Sequence, residues 1–382
     1  MYRLYTPGHG LVTDSLILHG LLKILSWCEV NKGEVSRLGD RFIILLDHEP
    51  KCSSEIIEDL LEEVLILIKE YNKGYQDAIY VSDRISKINY ANINRPVLKN
   101  WLNAILDALN KPFNLEVYKD ADHISKFEKK RRSKNLLTLY LPLSGVYGKY
   151  SQEAKIVSEG PYKVCDTCFV VSNIGLIYGT YIIRIAKKQK VNVYYTTLIP
   201  KDSIDIRDLY LLQKLTEGYY LPDRVEESVE ISLISAPLVA FSQGETIASI
   251  EKPHKIQVLT WALQLANNFQ RSLGLLMIDY KPLYEFIANI KLKIPSWHLF
   301  LTRCLVNVDG GETVLTAISE ALLFGGDIYG VSRVITSHIM SILKNDKLSK
   351  DLKDLCKIDV DEIVNSLYMV QSKNIVAKDV TI

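Results

Sequence analysis

The front of the chain alternates between helical and strand patterns of apolar residues. Leu11–Cys28 repeats apolar residues at helical spacing, which predicts a buried helix, and the short apolar run Arg41–Asp47 predicts a buried strand. Glu55–Tyr71 has the pattern of an amphipathic surface helix, and Ser54 is a suitable N-cap for it. A further helix is predicted over Pro96–Leu109, because proline suits a first helical turn.

The middle of the chain contains shorter candidate elements. Val191–Ile199 alternates and is rich in β-branched side chains, which predicts a strand. Val164–Ala186 is apolar and rich in small residues, and its pattern fits either a helix or a pair of strands. The other predictions here are a helix at Asp205–Thr216 and strands at Leu115–Tyr118, Leu136–Leu143 and Glu230–Phe241, the last weakened by Pro237.

From about Pro253 the apolar residues follow a helical period with no strand pattern between them. Gly310–Gly311 and Gly325–Gly326 separate the candidate helices. The predicted helices are Ile256–Leu273, Pro282–Leu292, Trp297–Val306, Thr313–Phe324, Val331–Leu343 and Asp359–Tyr368. The patterns therefore predict an α+β protein: a mixed α/β N-terminal part over residues 1–250 and a mainly α-helical bundle over residues 251–382.

Composition supports a globular chain. The 382 residues are 48% apolar and 24% charged, with a net charge of +1, and this length suggests two domains. The polar N-terminus is unlike a secretory signal, and the most apolar run, Phe169–Ile183, is interrupted by polar residues and glycines. We therefore expect a soluble, cytoplasmic protein.

Positive charge is concentrated in residues 126–155, hereafter the basic segment. Eight lysines and arginines there are opposed only by Glu128 and Glu153, which leaves a charge of +6 in a nearly neutral chain. A second basic cluster consists of Arg184, Lys187, Lys188 and Lys190. Such local concentration predicts contact with a polyanion. The candidate phosphate contacts are Lys129, Lys130, Arg131, Arg132, Lys134, Lys149, Lys187 and Lys188.

The alternative interpretation of the basic segment is a solvated surface loop whose cations form ion pairs with acidic residues of the helix Glu55–Glu70. The turn Ser144–Ser151 is too short between its glycines for a phosphate-binding loop of the nucleotide hydrolases. Because the glycines of this turn have no side chains, its backbone can still approach a nucleic-acid groove closely. Gly145, Tyr147, Gly148 and Lys149 are the candidates for that contact.

Cys165 and Cys168 form a lone CxxC motif. A structural zinc site needs four ligands, and no histidine lies in sequence between His123 and His254, so two buried thiols are the favoured interpretation and zinc the alternative. Six scattered cysteines do not predict a disulfide scaffold.

Motifs of enzymes are missing from the chain. It has no nucleophile elbow and no HExxH pair, which predicts a protein that is not an enzyme and needs no cofactor. His9, Asp14 and His19 lie five residues apart, a spacing that does not place them on one helix face, so a turn before a helix explains them best.

Three features together resemble a known family. They are the opening Tyr5–Leu25 (YTPGHGLVTDSLILHGLLKIL), the segment Val164–Tyr181 (VCDTCFVVSNIGLIYGTY), and the α/β front half followed by a helical tail. The chain resembles the large subunit of archaeal type I-A CRISPR interference complexes, the Csa-type Cas large-subunit family.

The resemblance implies a non-catalytic, DNA-binding subunit that recognises the protospacer-adjacent motif and supports strand separation. It implies as partners the target DNA, crRNA-bound backbone subunits, a small subunit, and helicase and HD-nuclease subunits, with no membrane. Zinc occurs in relatives with two cysteine pairs, whereas this chain has one CxxC pair. Two other classes stay open: a metal-dependent nuclease or nucleotide-processing enzyme with an unrecognised site, and a structural adaptor.

Overall fold

The N-terminal residues form an antiparallel four-stranded sheet. The computed structural model describes residues 1–52, 54–69, 115–128, 136–139, 141–144, 163–187, 190–216, 220–221, 231–242, 250–266 and 269–379. The sheet has the order β1-β3-β2-β8. Its strands are β1 (Tyr2–Tyr5), β2 (Gly33–Leu38), β3 (Arg41–Leu46) and β8 (Ile204–Asp205).

A second, five-stranded sheet carries the largest strands. Its order is β11-β10-β7-β6-β9, antiparallel except for the pairing of β6 with β9. Trp261 stands opposite Tyr195 and stacks on it with ring centroids 5.2 Å apart, and both are buried. The strands are β6 (Tyr181–Lys187), β7 (Lys190–Pro200), β9 (Tyr220–Leu221), β10 (Ile256–Ala266) and β11 (Phe269–Asp279).

Two helices cross closely in the N-terminal part. Helix α1 (Leu11–Trp27) follows β1, α2 (Ser54–Lys69) follows β3, and α4 (Asp166–Tyr178) precedes β6. Helix α1 packs along α4, and almost every residue of both is buried. Gly20 and Gly175 lie at the crossing, which allows the two backbones to touch.

Small elements surround the start of α4. A 3-10 helix spans Leu115–Lys119, a π-helical turn spans Ile124–Glu128, and β4 (Leu137–Thr138) pairs with β5 (Lys163–Val164). Helix α3 (Leu141–Ser144) also packs against α1, where Thr13 Oγ1 donates a 2.9 Å hydrogen bond to Leu143 O.

Helices dominate from Tyr280 onward and pack around Phe286, Trp297 and Phe300, which are fully buried. Trp297 Nε1 donates a 3.1 Å hydrogen bond to Ser242 Oγ, at the end of the helix Ala236–Ser242. Among the described residues, no helix is both apolar and long enough to cross a membrane. The helices are α5 (Ile206–Thr216), α6 (Ala236–Ser242), α7 (Tyr280–Lys293), α8 (Trp297–Leu299, continued by a π-helical turn over Phe300–Leu305), α9 (Gly311–Phe324), α10 (Ile328–Lys344), α11 (Lys350–Leu355) and α12 (Val360–Asp379).

The predicted α+β class with a helical C-terminal region is confirmed, but the helix expected at Ile256–Leu273 is wrong. These residues belong to the β10–β11 hairpin. Residues 258–263 of β10 are all buried, so both faces of the strand are apolar and the alternation that marks a half-exposed strand is lost. The helical region begins at Tyr280. The division into domains at residue 250 stays a prediction.

Three shorter predictions also need correction. Leu115–Tyr118 is helical rather than a strand, and the Lys119–Glu116 ion pair spans its turn. Among the described residues of the predicted strand Leu136–Leu143, only Leu137–Thr138 pairs. Pro142 lacks an N–H and suits the first turn of α3.

Glu230–Phe241 is likewise not a strand, since Ala236–Ser242 is helical with Pro237 in its first turn. The undecided segment Val164–Ala186 contains a helix and a strand, α4 and β6, with Gly179 at the end of the helix. The helix predicted at Pro96–Leu109 lies outside the described residues.

Two disulfides join Cys28 to Cys52 and Cys304 to Cys356, which the sequence analysis did not predict. A Cys304→Ser/Cys356→Ser variant is expected to lose about 2–4 kcal/mol of unfolding free energy, because the closed loop restricts the unfolded chain. Chemical unfolding with and without reductant measures this. Reductant should destabilise the native protein more than the double variant. If reductant lowers the unfolding free energy of the native protein and of the double variant equally, the Cys304–Cys356 disulfide is not the bond through which reductant acts.

Candidate functional site

Most residues predicted to contact nucleic acid lie outside the described part of the chain, so their role stays a prediction. In the second basic cluster, Lys187 ends β6 and stands opposite Lys190 of β7, whereas Arg184 pairs with Val193 further along the strands. The residues outside the described part are Lys129, Lys130, Arg131, Arg132, Lys134, Gly145, Tyr147, Gly148, Lys149 and Lys188.

The described start of the basic segment is less positive than its sequence suggests. Lys126 Nζ forms an ion pair with Asp120 Oδ2, and both groups lie near the surface. This pair lowers the pKa of Asp120 and raises that of Lys126. Because Asp120 precedes the segment, the count of charges within residues 126–155 did not include it.

The basic segment is attached to the Cys165 region at two places. Glu128 Oε1 accepts a 3.0 Å hydrogen bond from Cys165 N, and Leu137 pairs with Val164 in the β4–β5 ladder. Glu128 is buried, and Lys129 follows it directly. Glu128 and Leu137, the described residues on either side of the predicted cations in the sequence, are thus both fixed on the fold.

Five side chains meet at this attachment point: His9, His123, Glu128, Cys165 and Cys168, hereafter the His–Cys cluster. His123 Nε2 is 3.3 Å from Cys168 Sγ, 3.5 Å from Cys165 Sγ and 3.5 Å from Glu128 Oε1. His9 Nε2 is 3.3 Å from the same Glu128 oxygen. The donor atoms of His9, His123, Glu128 and Cys168 all lie within 4.8 Å of one another.

The His9 side chain is positioned by a turn that Asp14 stabilises. The Asp14 carboxylate, in the first turn of α1, accepts hydrogen bonds from Thr6 Oγ1 at 2.6 Å, Gly8 N at 2.7 Å and His9 N at 2.8 Å. Gly8 has a φ of 91°, in the left-handed region that favours glycine. The expected turn before the helix is therefore present, stabilised by Asp14, and it also directs His9 into the cluster.

His123 and the cysteines are fixed by neighbouring groups. His123 Nδ1 is 2.9 Å from Val117 O, which leaves Nε2 directed toward the sulfurs. Cys165 is the N-cap of α4, and its sulfur accepts the backbone N–H of Cys168 at 3.5 Å. Tyr118 stacks on His123 with ring centroids 5.9 Å apart and donates its hydroxyl to Cys168 Sγ at 3.7 Å.

The cluster is strongly polarised. The hydrogen bond from Cys168 and the nearby His123 lower the pKa of the Cys165 thiol to about 5. Burial opposes ionisation of His123, but its contacts with Cys165 and Glu128 raise its pKa to about 10. Burial raises the pKa of Cys168. These shifts favour a thiolate on Cys165 beside a protonated His123, in a buried site.

Thiolates and imidazoles at this spacing are suited to a soft divalent metal ion. Sequence reasoning considered Cys165 and Cys168 but missed His9, His123 and Glu128. Spacing motifs indicate only ligands that are close together in the sequence. His123 lies 42 residues before Cys165 and reaches it through the tertiary fold. The expectation of two buried cysteines outside any disulfide is confirmed.

His19 has a different role from His9. It is fully buried, and its Nε2–H donates a 2.8 Å hydrogen bond to Leu198 O of β7. Burial lowers the pKa of His19 to about 4. The spacing argument against a His9–Asp14–His19 site is consistent with this separation.

Acidification is expected to destabilise the fold through His19. The unfolded chain binds a proton near the ordinary pKa of about 6.5, whereas folded His19 stays neutral until about pH 4, so stability falls as pH drops through this window. The expected loss between about pH 7 and about pH 5 is about 2 kcal/mol. Urea unfolding of the native protein and of His19→Gln measures it. The unfolding free energy of the variant should depend less on pH than that of the native protein. Identical pH dependence of the two would contradict the role assigned to His19.

Comparison with known proteins assigns the class. The family model described as CRISPR-associated protein (Cas_Csa4) matches residues 2–354. The chain belongs to this family. It is also similar to a protein of Thermoproteus tenax named CRISPR system associated protein Cas8, with 30% identity over 349 residues that cover 87% of this chain and 92% of that protein. These matches identify a Cas8-like large subunit of a CRISPR system and confirm the resemblance found in the sequence.

Proposed function

We propose that this chain is the DNA-binding large subunit of an RNA-guided interference complex, where it recognises the protospacer-adjacent motif, supports strand separation and performs no cleavage. The observation that carries the proposal is the family match over nearly the whole chain. Family membership implies participation in an interference complex with other Cas subunits. The target DNA, the crRNA-bound backbone, the small subunit and the helicase and nuclease subunits are the proposed partners.

The basic segment supports the DNA-binding part of the proposal. In RNA-guided systems base pairing reads the target sequence, and the protein needs to recognise only a short duplex motif and open the strands beside it. Lysine and arginine contacts with phosphates position a protein on the duplex, while few side chains read bases. The cations Lys129–Lys134 suit the positioning role. The turn at Gly145–Lys149 suits close approach to a groove.

The attachment of the basic segment also supports this proposal. A flexible polycation binds DNA without fixing its direction, whereas motif recognition requires a defined orientation between protein and duplex. Glu128 bonds to Cys165 in the buried His–Cys cluster, and β4 pairs with β5. The residues that flank the cations in the sequence are therefore fixed on the fold.

Omitting the chain from the reconstituted complex tests the function. The complex is prepared with and without the chain and incubated with duplexes in which the bases beside the target sequence are randomised. The bound DNA is then sequenced. With the chain present, we expect a flanking-sequence preference and strand opening, detected by permanganate reactivity of unpaired thymines. Equal preference and opening without it would overturn the proposal. Divalent-metal-dependent DNA cleavage by the purified chain would favour the nuclease alternative.

A further inference from the structure

We propose that the His–Cys cluster is a structural zinc site in which His9, His123, Cys165 and Cys168 are the ligands and Glu128 supports them from outside the coordination shell. The argument needs only the residues of the cluster and is independent of DNA binding. Nothing in the family match assigns a metal to these residues.

The distances between donor atoms fit a shared tetrahedral centre. With zinc bonds of about 2.3 Å to sulfur and about 2.0 Å to nitrogen, a tetrahedron places a sulfur and a nitrogen ligand about 3.5 Å apart. His123 Nε2 is 3.5 Å from Cys165 Sγ and 3.3 Å from Cys168 Sγ. The donor atoms of His9, His123, Cys168 and Glu128 lie within 4.8 Å of one another. Glu128 Oε1 is engaged by the N–H of Cys165, so we assign the fourth position to the Cys165 thiolate.

The ligand types favour zinc over harder cations. Two thiolates and two imidazoles are a common structural zinc set, while magnesium and calcium prefer oxygen ligands. The side chains of His9 and His123 are fully buried, and Cys168 is also fully buried. A closed site suits a structural ion, since catalytic zinc keeps an open position. Zinc binds thiolates and neutral imidazoles, so binding displaces to solvent the thiol proton of Cys168 and the Nε2 proton of His123 as the zinc–sulfur and zinc–nitrogen bonds form.

Groups around the ligands have the arrangement of an outer shell. His123 Nδ1 contacts Val117 O at 2.9 Å, the usual way in which a metal-binding imidazole is oriented. The Cys165 sulfur accepts the N–H of Cys168, and Asp14 fixes the turn that carries His9. Glu128 Oε1 already accepts the N–H of Cys165 at 3.0 Å, so this carboxylate stands beside the ligands and fixes the backbone that carries Cys165.

Zinc at this position would join three distant parts of the chain. His9 precedes α1, His123 lies just before the basic segment, and the cysteines begin α4. Metal binding that exists only in the folded state stabilises that state. The ion would therefore fix the base of the basic segment against α1 and α4.

Metal content of the full-length native protein provides the first test. Native mass spectrometry and elemental analysis are expected to find about one zinc per chain. Stripping with a strong chelator should lower the thermal midpoint, and zinc, but not magnesium, should restore it. Cobalt uptake should produce the charge-transfer absorption of thiolate–cobalt bonds. A protein that contains no zinc and takes up neither zinc nor cobalt after reduction would overturn the proposal.

Variants provide the second test. Cys168→Ser should weaken the thiolate–cobalt absorption, because only the Cys165 sulfur remains. His123→Gln and His9→Gln should lose zinc at least about tenfold more readily to a competing chelator, as removal of a ligand predicts. The matched controls are His48→Gln and His254→Gln, which change exposed histidines away from the cluster. Zinc retention equal to that of the controls would overturn the assignment, and so would a Cys165–Cys168 disulfide in the freshly purified protein. A variant that fails to fold would not affect the first test, because metal content and chelation are also measured on the unmutated chain.

Discussion

Reversing Lys129, Lys130, Arg131 and Arg132 to glutamate is expected to weaken binding of target DNA by the assembled complex about 100-fold at moderate salt. If each cation neutralises one phosphate, losing four contacts should reduce the slope of log K against log salt by about 3 to 4. The loss should be similar for duplexes with and without the adjacent motif, because phosphate contacts carry no sequence information. Titrations over a range of salt concentrations measure both quantities.

A control variant separates this effect from overall charge. Lys32, Lys51, Lys214 and Lys252 are exposed, and their reversal to glutamate changes the net charge equally. This variant should bind with nearly native affinity, and both complexes should assemble fully by size-exclusion chromatography. Unchanged affinity and salt slope in the first variant would show that the basic segment is a solvated loop. Equal losses in both variants would show that only the total charge matters.

Substituting Gly175 by alanine is expected to destabilise the fold by about 3 kcal/mol, near the upper end for overpacking. A Cβ at Gly175 would lie 1.8 Å from Leu16 O, and one at Gly20 would lie 2.1 Å from Val171 O. Both obstacles are backbone atoms within helices, so α1 and α4 must move apart. This movement would also separate His9 from Cys168, so we expect weaker zinc retention in the same variant. Chemical unfolding and zinc analysis measure the two effects.

The matched control is Gly330→Ala in α10. The added methyl group there would lie 2.9 Å from Asp327 Oδ2, a side-chain atom that a small shift relieves while Oδ1 keeps accepting the N–H of Tyr329. Alanine also has the higher helix propensity. We expect little loss of stability or a small gain. The double variant Gly20→Ala/Gly175→Ala should cost less than the sum of the single changes, because helices already separated by one methyl group accommodate the other. Equal stability of Gly175→Ala and Gly330→Ala would contradict the close crossing.

Local patterns correctly predicted many elements of the fold. The helix at Leu11–Trp27, the strand at Arg41–Leu46 and the long strand Lys190–Pro200 were each evident from the period of their apolar residues. The same holds for α7, α9 and α10, because each exposes one face to water and buries the other. The short helix α11 (Lys350–Leu355) was not predicted, and none of its residues is buried. The family resemblance rested on Tyr5–Leu25 and Val164–Tyr181, and these segments contain the crossing helices and three of the four proposed zinc ligands.

The candidate site could be predicted only in part. The CxxC motif marked Cys165 and Cys168, and the turn at Gly8–Gly10 was evident beside His9. The involvement of His123 and Glu128 could not be found, since 37 or more residues separate each of them from Cys165 and their local patterns differ little from those of surface residues. The disulfides Cys28–Cys52 and Cys304–Cys356 had no local signal for the same reason.

The sequence by itself therefore determined the class of fold, the family and most of the regular elements, because a local period of apolar residues records which face of an element is buried. Tertiary structure decided that Ile256–Asp279 is a hairpin, and it brought His9 and His123 to the cysteines. These outcomes depend on which elements pack together. A strand buried on both faces loses its alternation, and the approach of side chains distant along the chain is determined by packing and loop closure rather than by their immediate neighbours.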